Sequence, residues 1–141
     1  RSQKFQAGYR SLRQMSFATI DMLYHTTPAE NIKSIPEFEA QVMEKFDTMP
    51  KVSDNCFSCG FSHIFAGGYS AGYYSYKWAE VLDADAFELF KEEGLFNSNV
   101  AKKFKEEILS RGGTEHPMEL YKRFRGREPD INALLKRDGL I

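Results

Sequence analysis

Apolar residues separated by steps of three and four, punctuated by proline and glycine, leave this chain few options for folding. Across 5–25, Phe5, Tyr9, Leu12, Met15, Phe17, Ile20, Met22 and Leu23 recur at helical spacing, which predicts one long amphipathic helix. "HTTPAENIKSIP" breaks it. Pro36 suits a helical first turn, and Phe38, Val42, Met43 and Phe46 follow at helical steps until Met49-Pro50, predicting a second helix. Residues 51–68, "KVSDNCFSCGFSHIFAGG", mix turn formers with short apolar runs and carry no helical period, so they read as a loop with one short extended piece. A third, long helix is expected over 70–93, ended by Gly94. The fourth starts at Ser98, carries the stripe Val100, Phe104, Ile108 and Leu109, and closes at Gly112-Gly113. "TEHPMELYKRF" and "PDINALLKR" supply a fifth and a sixth, with Pro117 and Pro129 at their starts. No internal repeat, low-complexity segment or linker interrupts the series. The expected fold is therefore all-α, a single helical region of about six helices with an irregular Gly-rich loop before the long third helix.

Composition narrows the function. The 141 residues are 42% hydrophobic, ordinary for one globular domain, and the 14% that are aromatic need a core, a cleft or a partner to cover them. A formal net charge of -1 removes the usual electrostatic reason for binding nucleic acid. No apolar run approaches the roughly 18 to 20 residues of a membrane span. The reading is a soluble chain in a reducing cytoplasm, where Cys56 and Cys59 are too few for a disulfide scaffold. The opening "RSQKFQAGYRSLRQMSF" lacks an initiating Met and is already helical in pattern, which suggests a piece of a longer polypeptide.

The densest chemistry lies in "HIFAGGYSAGYYSYKW", residues 63–78, with one histidine, three glycines, four tyrosines and a tryptophan. On a helix, Tyr69, Tyr73 and Tyr76 fall within about 60° of one another, with Glu80 continuing their line, while Tyr74, Trp78, Val81 and Leu82 lie opposite. The second set is the natural core face and the first a row of phenolic donors. Half-buried tyrosines with wet hydroxyls are the ordinary explanation of such a row. Gly67, Gly68 and Gly72, which permit loop movement or close backbone approach, and the titratable His63 point instead to one wall of a polar cleft. That wall holds neither nucleophile nor general base.

Three other patterns carry less. Cys56-x-x-Cys59-x-x-x-His63 has the spacing of a partial zinc site or a redox pair, but His25 and His116 lie in unrelated segments, and two inert, buried or half-buried thiols are the simpler reading. "GGYSAG" matches neither dinucleotide nor P-loop patterns. Lys122, Arg123, Arg125 and Arg127 in "YKRFRGREP" are expected to form surface ion pairs with neighbours such as Glu128.

The segments "FSHIFAGGYSAGYYSYKWAEVLDADAF" and "ILSRGGTEHPMELYKRFRGREPDINALL" and, more loosely, "YRSLRQMSFATIDMLYHT" resemble the C-terminal part of the thimet oligopeptidase, oligopeptidase A and peptidyl-dipeptidase family of zinc metallopeptidases. The resemblance implies a larger helical peptidase that cleaves short peptides in a deep channel. Its zinc is held by the two histidines of an H-E-x-x-H helix and a later glutamate, with the motif glutamate as general base. His25, His63 and His116 are the histidines here and none lies in such a motif. The zinc-binding part is therefore expected upstream, no metal ligand is expected on this chain, and the chain alone is expected to be inactive.

By the same resemblance Tyr76 would donate to the oxyanion, Tyr73 would bind substrate or support that oxyanion, and His63 would stabilise substrate or transition state. Tyr69 would line the substrate channel, and Gly67-Gly68 would belong to a flexible loop that closes over the peptide. The implied partners are short peptides and the remainder of the polypeptide, with self-association through uncovered aromatics when that remainder is missing. The competing expectation is a self-contained helical module that uses the tyrosine face to bind a peptide or protein without catalysis.

Overall fold

The computed structural model describes residues 4–50, 52 and 55–141, and among them every regular element is helical. Two compact units divide the chain, one ending at Trp78 and the other starting at Ala79.

The first unit is built on α1 (Ala7–Thr26), whose last turn precedes Pro28, a residue that disfavours helical backbone just before it. The buried face of α1 is Ser16, Phe17, Ile20 and Asp21. Outer members of the expected apolar stripe, Phe5, Tyr9 and Met15, are exposed. After a 3₁₀ turn at Ala29–Asn31, α2 (Ile35–Met43) is capped by Ser34, whose hydroxyl accepts from the Glu37 N–H, and holds Pro36 in its first turn. A 3₁₀ turn at Glu44–Phe46 prolongs α2.

The segment expected to be a loop is more ordered than its sequence suggests, although Lys51, Ser53 and Asp54 lie outside the described residues. It contains α3 (Phe57–Gly60) and α4 (His63–Ala66) in place of an extended piece. Buried Glu39 on α2 accounts for the first of these. Its Oε2 accepts the Phe57 N–H at 2.9 Å, and its Oε1 accepts the Ser58 N–H and the Tyr24 hydroxyl, each at 2.8 Å. Burial alone would raise the Glu39 pKa, but the Ser58 and Tyr24 side chains and the Ser58 and Phe57 amides hold it below the ordinary value. Burial and the Glu39 hydrogen bond push Tyr24 the other way. The rings of Phe57 and Phe61 then pack on Phe17, each 4.9 Å from it, in a cluster with Ile64 and Tyr73. Helices of four residues show no period, so only these tertiary contacts reveal them.

The long helix α5 (Ser75–Glu93) spans the boundary, and its residues 79–93 start the second unit. Gly94, at φ 109, ends it as expected. Asn97 caps α6 (Ser98–Phe104) through its side-chain oxygen. The expected fourth helix then departs from α geometry. A π turn at Lys105–Leu109, closed by the Ser110 N–H on the Lys105 carbonyl at 2.8 Å, widens the helix by one residue. Ile108 stays on the apolar cluster, whereas Leu109 turns out and is 66% exposed. His116 Nδ1 accepts the Met118 N–H to cap α7 (Pro117–Arg125), and Gly126 ends that helix in the left-handed region. Asp130 caps α8 (Ile131–Asp138) in the same way. Phe124, fully buried, packs with Ala86, Val100 and Tyr121, and Val81 and Ala84 pack on Ala133 and Leu134.

One carboxylate organises the polar part of this unit. Asp85 is fully buried and receives the Tyr121 hydroxyl at 2.6 Å and two Arg127 N–H groups at 2.6 and 3.0 Å, with Arg125 Nε 3.7 Å away. Arg125 forks onto Glu92, Arg123 onto Glu115, and Lys122 pairs with Glu128. Lys122 and Arg123 thus form the surface ion pairs expected, whereas the Arg125 side chain is itself buried and lies with Arg127 against the buried Asp85, and Arg127 donates to the Glu128 backbone carbonyl. Burial would raise the Asp85 pKa, but the Arg127 and Tyr121 hydrogen bonds and the nearby arginines hold it below 3.8. Its contribution to stability is therefore present at neutral pH and disappears as pH falls through that depressed value. Asp85→Asn should lower the free energy of urea unfolding by about 3 kcal/mol at neutral pH, and the difference should shrink towards zero in acid. A deficit that is constant from neutral to strongly acid pH would contradict this account.

Candidate functional site

Between α4 and α5, residues 67–74 form a set of turns, and the reason lies on α1. The third helix was expected from Ser70, yet α5 starts at Ser75. In a helix the N–H groups of Ala71 and Tyr73 would bond to carbonyls four residues earlier. Here both point to Asp21, with the Ala71 N–H on Oδ1 and the Tyr73 N–H on Oδ2, each at 2.9 Å. Asp21 is fully buried, and its other neighbour is His25, whose Nδ1 lies 2.8 Å from the Asp21 carbonyl and 3.0 Å from Oδ1. Both of those oxygens only accept, so Nδ1 carries the proton.

The carboxylate holds Ala71 at φ 54, a left-handed conformation that costs an L-residue about 1–2 kcal/mol. Neighbouring bonds complete the turn: Gly72 N–H to the Tyr69 carbonyl at 2.8 Å, Ser75 N–H to the Gly72 carbonyl at 3.0 Å, and Tyr76 N–H to the Tyr73 carbonyl at 3.2 Å. The Ser70 hydroxyl donates to the Ile64 carbonyl at 2.9 Å, tying the turn to α4.

The glycines before it are required on two grounds. Gly68 sits at φ 75, and a Cβ on Gly67 would lie 2.9 Å from the His63 carbonyl oxygen.

These turns redistribute the tyrosines. Tyr73 was expected to project with Tyr69 and Tyr76, but its ring is buried against Phe17 and Ile64, and its hydroxyl donates to Gln14 Oε1 at 2.9 Å. Tyr74 and Trp78, expected on the core face, are 54% and 46% exposed. The helical projection fails because Tyr69, Tyr73 and Tyr74 are not in a helix.

Three expected site residues nevertheless meet. The His63 and Tyr69 rings stack 4.7 Å apart at 10°, Tyr69 stacks on Tyr76 at 5.3 Å, and His63 Nε2 is 2.9 Å from the Tyr76 hydroxyl. Tyr73 lies behind, its ring centroid 5.1 Å from that of Tyr76. The neighbouring Tyr69 phenol, then desolvation and Tyr73, raise the Tyr76 pKa above the ordinary 10.0, so the hydroxyl keeps its proton throughout the neutral range. The assembly is an aromatic surface that presents a phenolic donor beside an imidazole.

The thiols lie apart from that chemistry. Cys59 donates to Cys56 across 2.7 Å, which lowers the Cys56 pKa and raises that of Cys59. Cys56 is half-buried, while Cys59 is exposed. Among the described residues, no three His, Cys, Asp or Glu side chains are grouped so as to hold a metal ion.

Sequence reading passed over Asp21, Gln14 and Glu39. Asp21 had a visible signal, since it lies one helical turn after Phe17 and directly after Ile20, on the face that periodicity assigns to the core. A charged residue there must find buried partners.

A sequence model of peptidase family M3 matches residues 1–140. Over its whole length the chain is 49% identical to oligopeptidase A of Haemophilus influenzae, of which it covers 21%. It is 46% identical to the probable cytosolic oligopeptidase A of Arabidopsis thaliana, across 97% of this chain and 20% of that protein. With the dipeptidyl carboxypeptidase of Escherichia coli the identity is 37%, across 96% of this chain and 20% of that protein. The chain thus spans about a fifth of the length of the curated relatives it matches. A match that runs from the first residue to the last but one, together with identities well above 30% across almost the whole chain, assigns it: this chain belongs to peptidase family M3.

Proposed function

We propose that this chain supplies the substrate-binding and oxyanion-stabilising side chains of an oligopeptidase that hydrolyses short peptides. The observation that carries the reading is the contact between His63 Nε2 and the Tyr76 hydroxyl at 2.9 Å, on a surface where that phenol stays protonated. Hydrolysis of a peptide bond turns a planar carbonyl into a tetrahedral oxyanion. A donor accelerates it when aimed at the position where that charge develops.

With His63 Nε2–H donating into the Tyr76 oxygen, the phenolic proton is not taken up by the imidazole and can turn from Tyr69 to the oxyanion. The opposite tautomer would use up the phenolic proton, so the reading requires a proton on Nε2. Tyr69, stacked on both rings, offers its face to the substrate chain, and Tyr73, tied to Gln14, supports Tyr76 from behind. Gly67 and Gly68 give the connecting segment the freedom to settle over a bound peptide.

Zinc, implied by the family resemblance, finds no set of three or more grouped ligands among the described residues, and no step here runs through it. Its ligands and the general base belong on this reading to the rest of the polypeptide. The purified 141-residue chain should therefore leave a quenched peptide substrate intact even with zinc added. For the compartment the reading takes the cytoplasm, after the probable cytosolic oligopeptidase A of Arabidopsis thaliana.

In the full-length protein, Tyr76→Phe should lower kcat about 10²- to 10³-fold, with KM changed far less, because the lost interaction forms only in the transition state. Steady-state kinetics on a short peptide checks this, and an unchanged kcat would remove Tyr76 from the chemistry. The sign of the pH effect follows from the raised pKa. The donor is present below that raised value and is lost as pH rises through it, so ionisation of Tyr76 should depress kcat only on the alkaline side of the ordinary tyrosine titration. Gly67→Ala should raise KM and lower kcat together, since its Cβ would enter the space of the His63 carbonyl and shift the stack.

A further inference from the structure

We propose that Asp21 is the positioning residue of the tyrosine site: by taking the Ala71 and Tyr73 amides, its buried carboxylate fixes the turn that aims the Tyr76 phenol. The catalytic part of this inference rests on the peptidase reading above. The clamp itself rests on geometry alone.

Asp21 lies 50 residues before Ala71 and 52 before Tyr73, so this is long-range and not a local cap. Its two oxygens are divided between the two amides, on either side of Gly72. The second amide leads directly to the chemistry, because the Tyr73 carbonyl accepts the Tyr76 N–H and the Tyr76 hydroxyl meets His63. From the other end of the turn, Gly72 N–H holds the Tyr69 carbonyl. Tyr76 is thereby joined by a backbone hydrogen bond to Tyr73, which Asp21 holds, and Tyr69 to Gly72, which lies between the two held residues.

Asparagine cannot replace it. One of the two N–H groups would then face an amide NH₂, donor against donor. Ala71 is the weak point of the turn, since its left-handed conformation is one the chain would leave if the carboxylate released it. Glycine at that position accepts the same conformation without strain, so Ala71→Gly should restore part of what Asp21→Asn loses.

The test compares Asp21→Asn, Ala71→Gly, the double variant and Tyr76→Phe in the full-length protein, by steady-state kinetics and by deuterium uptake across 69–76 read by mass spectrometry. Asp21→Asn should lower kcat about 10²-fold while KM changes less than about threefold, and the double variant should recover about tenfold of that loss. Exchange at the Ala71 and Tyr73 amides should accelerate at least about tenfold in Asp21→Asn. A merely structural role would instead lower the yield of folded enzyme, leave kcat per folded molecule intact and show no rescue.

Unchanged uptake across 69–76 in Asp21→Asn overturns the proposal, as does a kcat held within about threefold while Tyr76→Phe is impaired. If Tyr76→Phe is harmless, the peptidase reading falls, and uptake alone decides whether Asp21 clamps the turn. Should Asp21→Asn fail to fold, the unaltered protein decides: the Ala71 and Tyr73 amides should be protected like those of α1, and exchange as fast as exposed turn amides would refute the clamp.

Discussion

A carboxylate removed from water needs N–H or O–H groups to converge on it, and Asp21 meets that demand with the backbone of a segment half a hundred residues away. The rest of the site depends on this pairing. It withholds two amides from helix formation and delays the start of α5 to Ser75. The turn that results turns the Tyr73 ring inward onto Phe17 and leaves Tyr76 outward beside His63. The phenolic donor and the imidazole meet because a buried acid on α1 favours a turn where local propensity favours a helix.

Glu39 solves the same problem in the same unit. It too is buried, and it too accepts two backbone amides, here the consecutive pair of Phe57 and Ser58, with the Tyr24 hydroxyl as a third donor. In both cases an acid on a regular helix orders an irregular segment that short-range signals cannot order. The apolar counterpart is Phe17, which receives Phe57, Phe61 and Tyr73 around one ring. Within the second unit Asp85 draws its donors from arginine and tyrosine side chains instead, so it joins helices rather than shaping a turn. Burial tends to raise the pKa of Glu39 and Asp85 alike, and in both the hydrogen bonds outweigh it.

The parts of the fold that were legible in sequence are those governed by spacing within one helix. Apolar residues at steps of three and four marked α1, α2 and α5 to α8, and proline and glycine marked most of their ends. Three features lay beyond that reach. Helices α3 and α4 are too short to show a period, the π turn at Lys105–Leu109 has no composition of its own, and the onset of α5 is set by Asp21 from another element. The site was legible in its membership and not in its arrangement. His63, Tyr69 and Tyr76 come together as the crowded stretch suggested, but the helical projection that grouped them placed Tyr73 outside and Trp78 inside, and both are reversed. Buried acids are where a period-based reading fails, because it treats a polar residue on an apolar face as noise when its partners are what the face is for.

The central claim is that Tyr76 faces the oxygen on which negative charge develops during peptide hydrolysis. A crystal structure of the full-length protein with a phosphinic peptide tests it most directly, because the tetrahedral phosphinate reproduces the shape and charge of the oxyanion. The account requires a phosphinate oxygen about 2.5–2.7 Å from the Tyr76 hydroxyl, with His63 Nε2 still bonded to that same hydroxyl. A phosphinate whose oxygens are all satisfied by other groups, with the Tyr76 hydroxyl beyond about 3.5 Å, would contradict it.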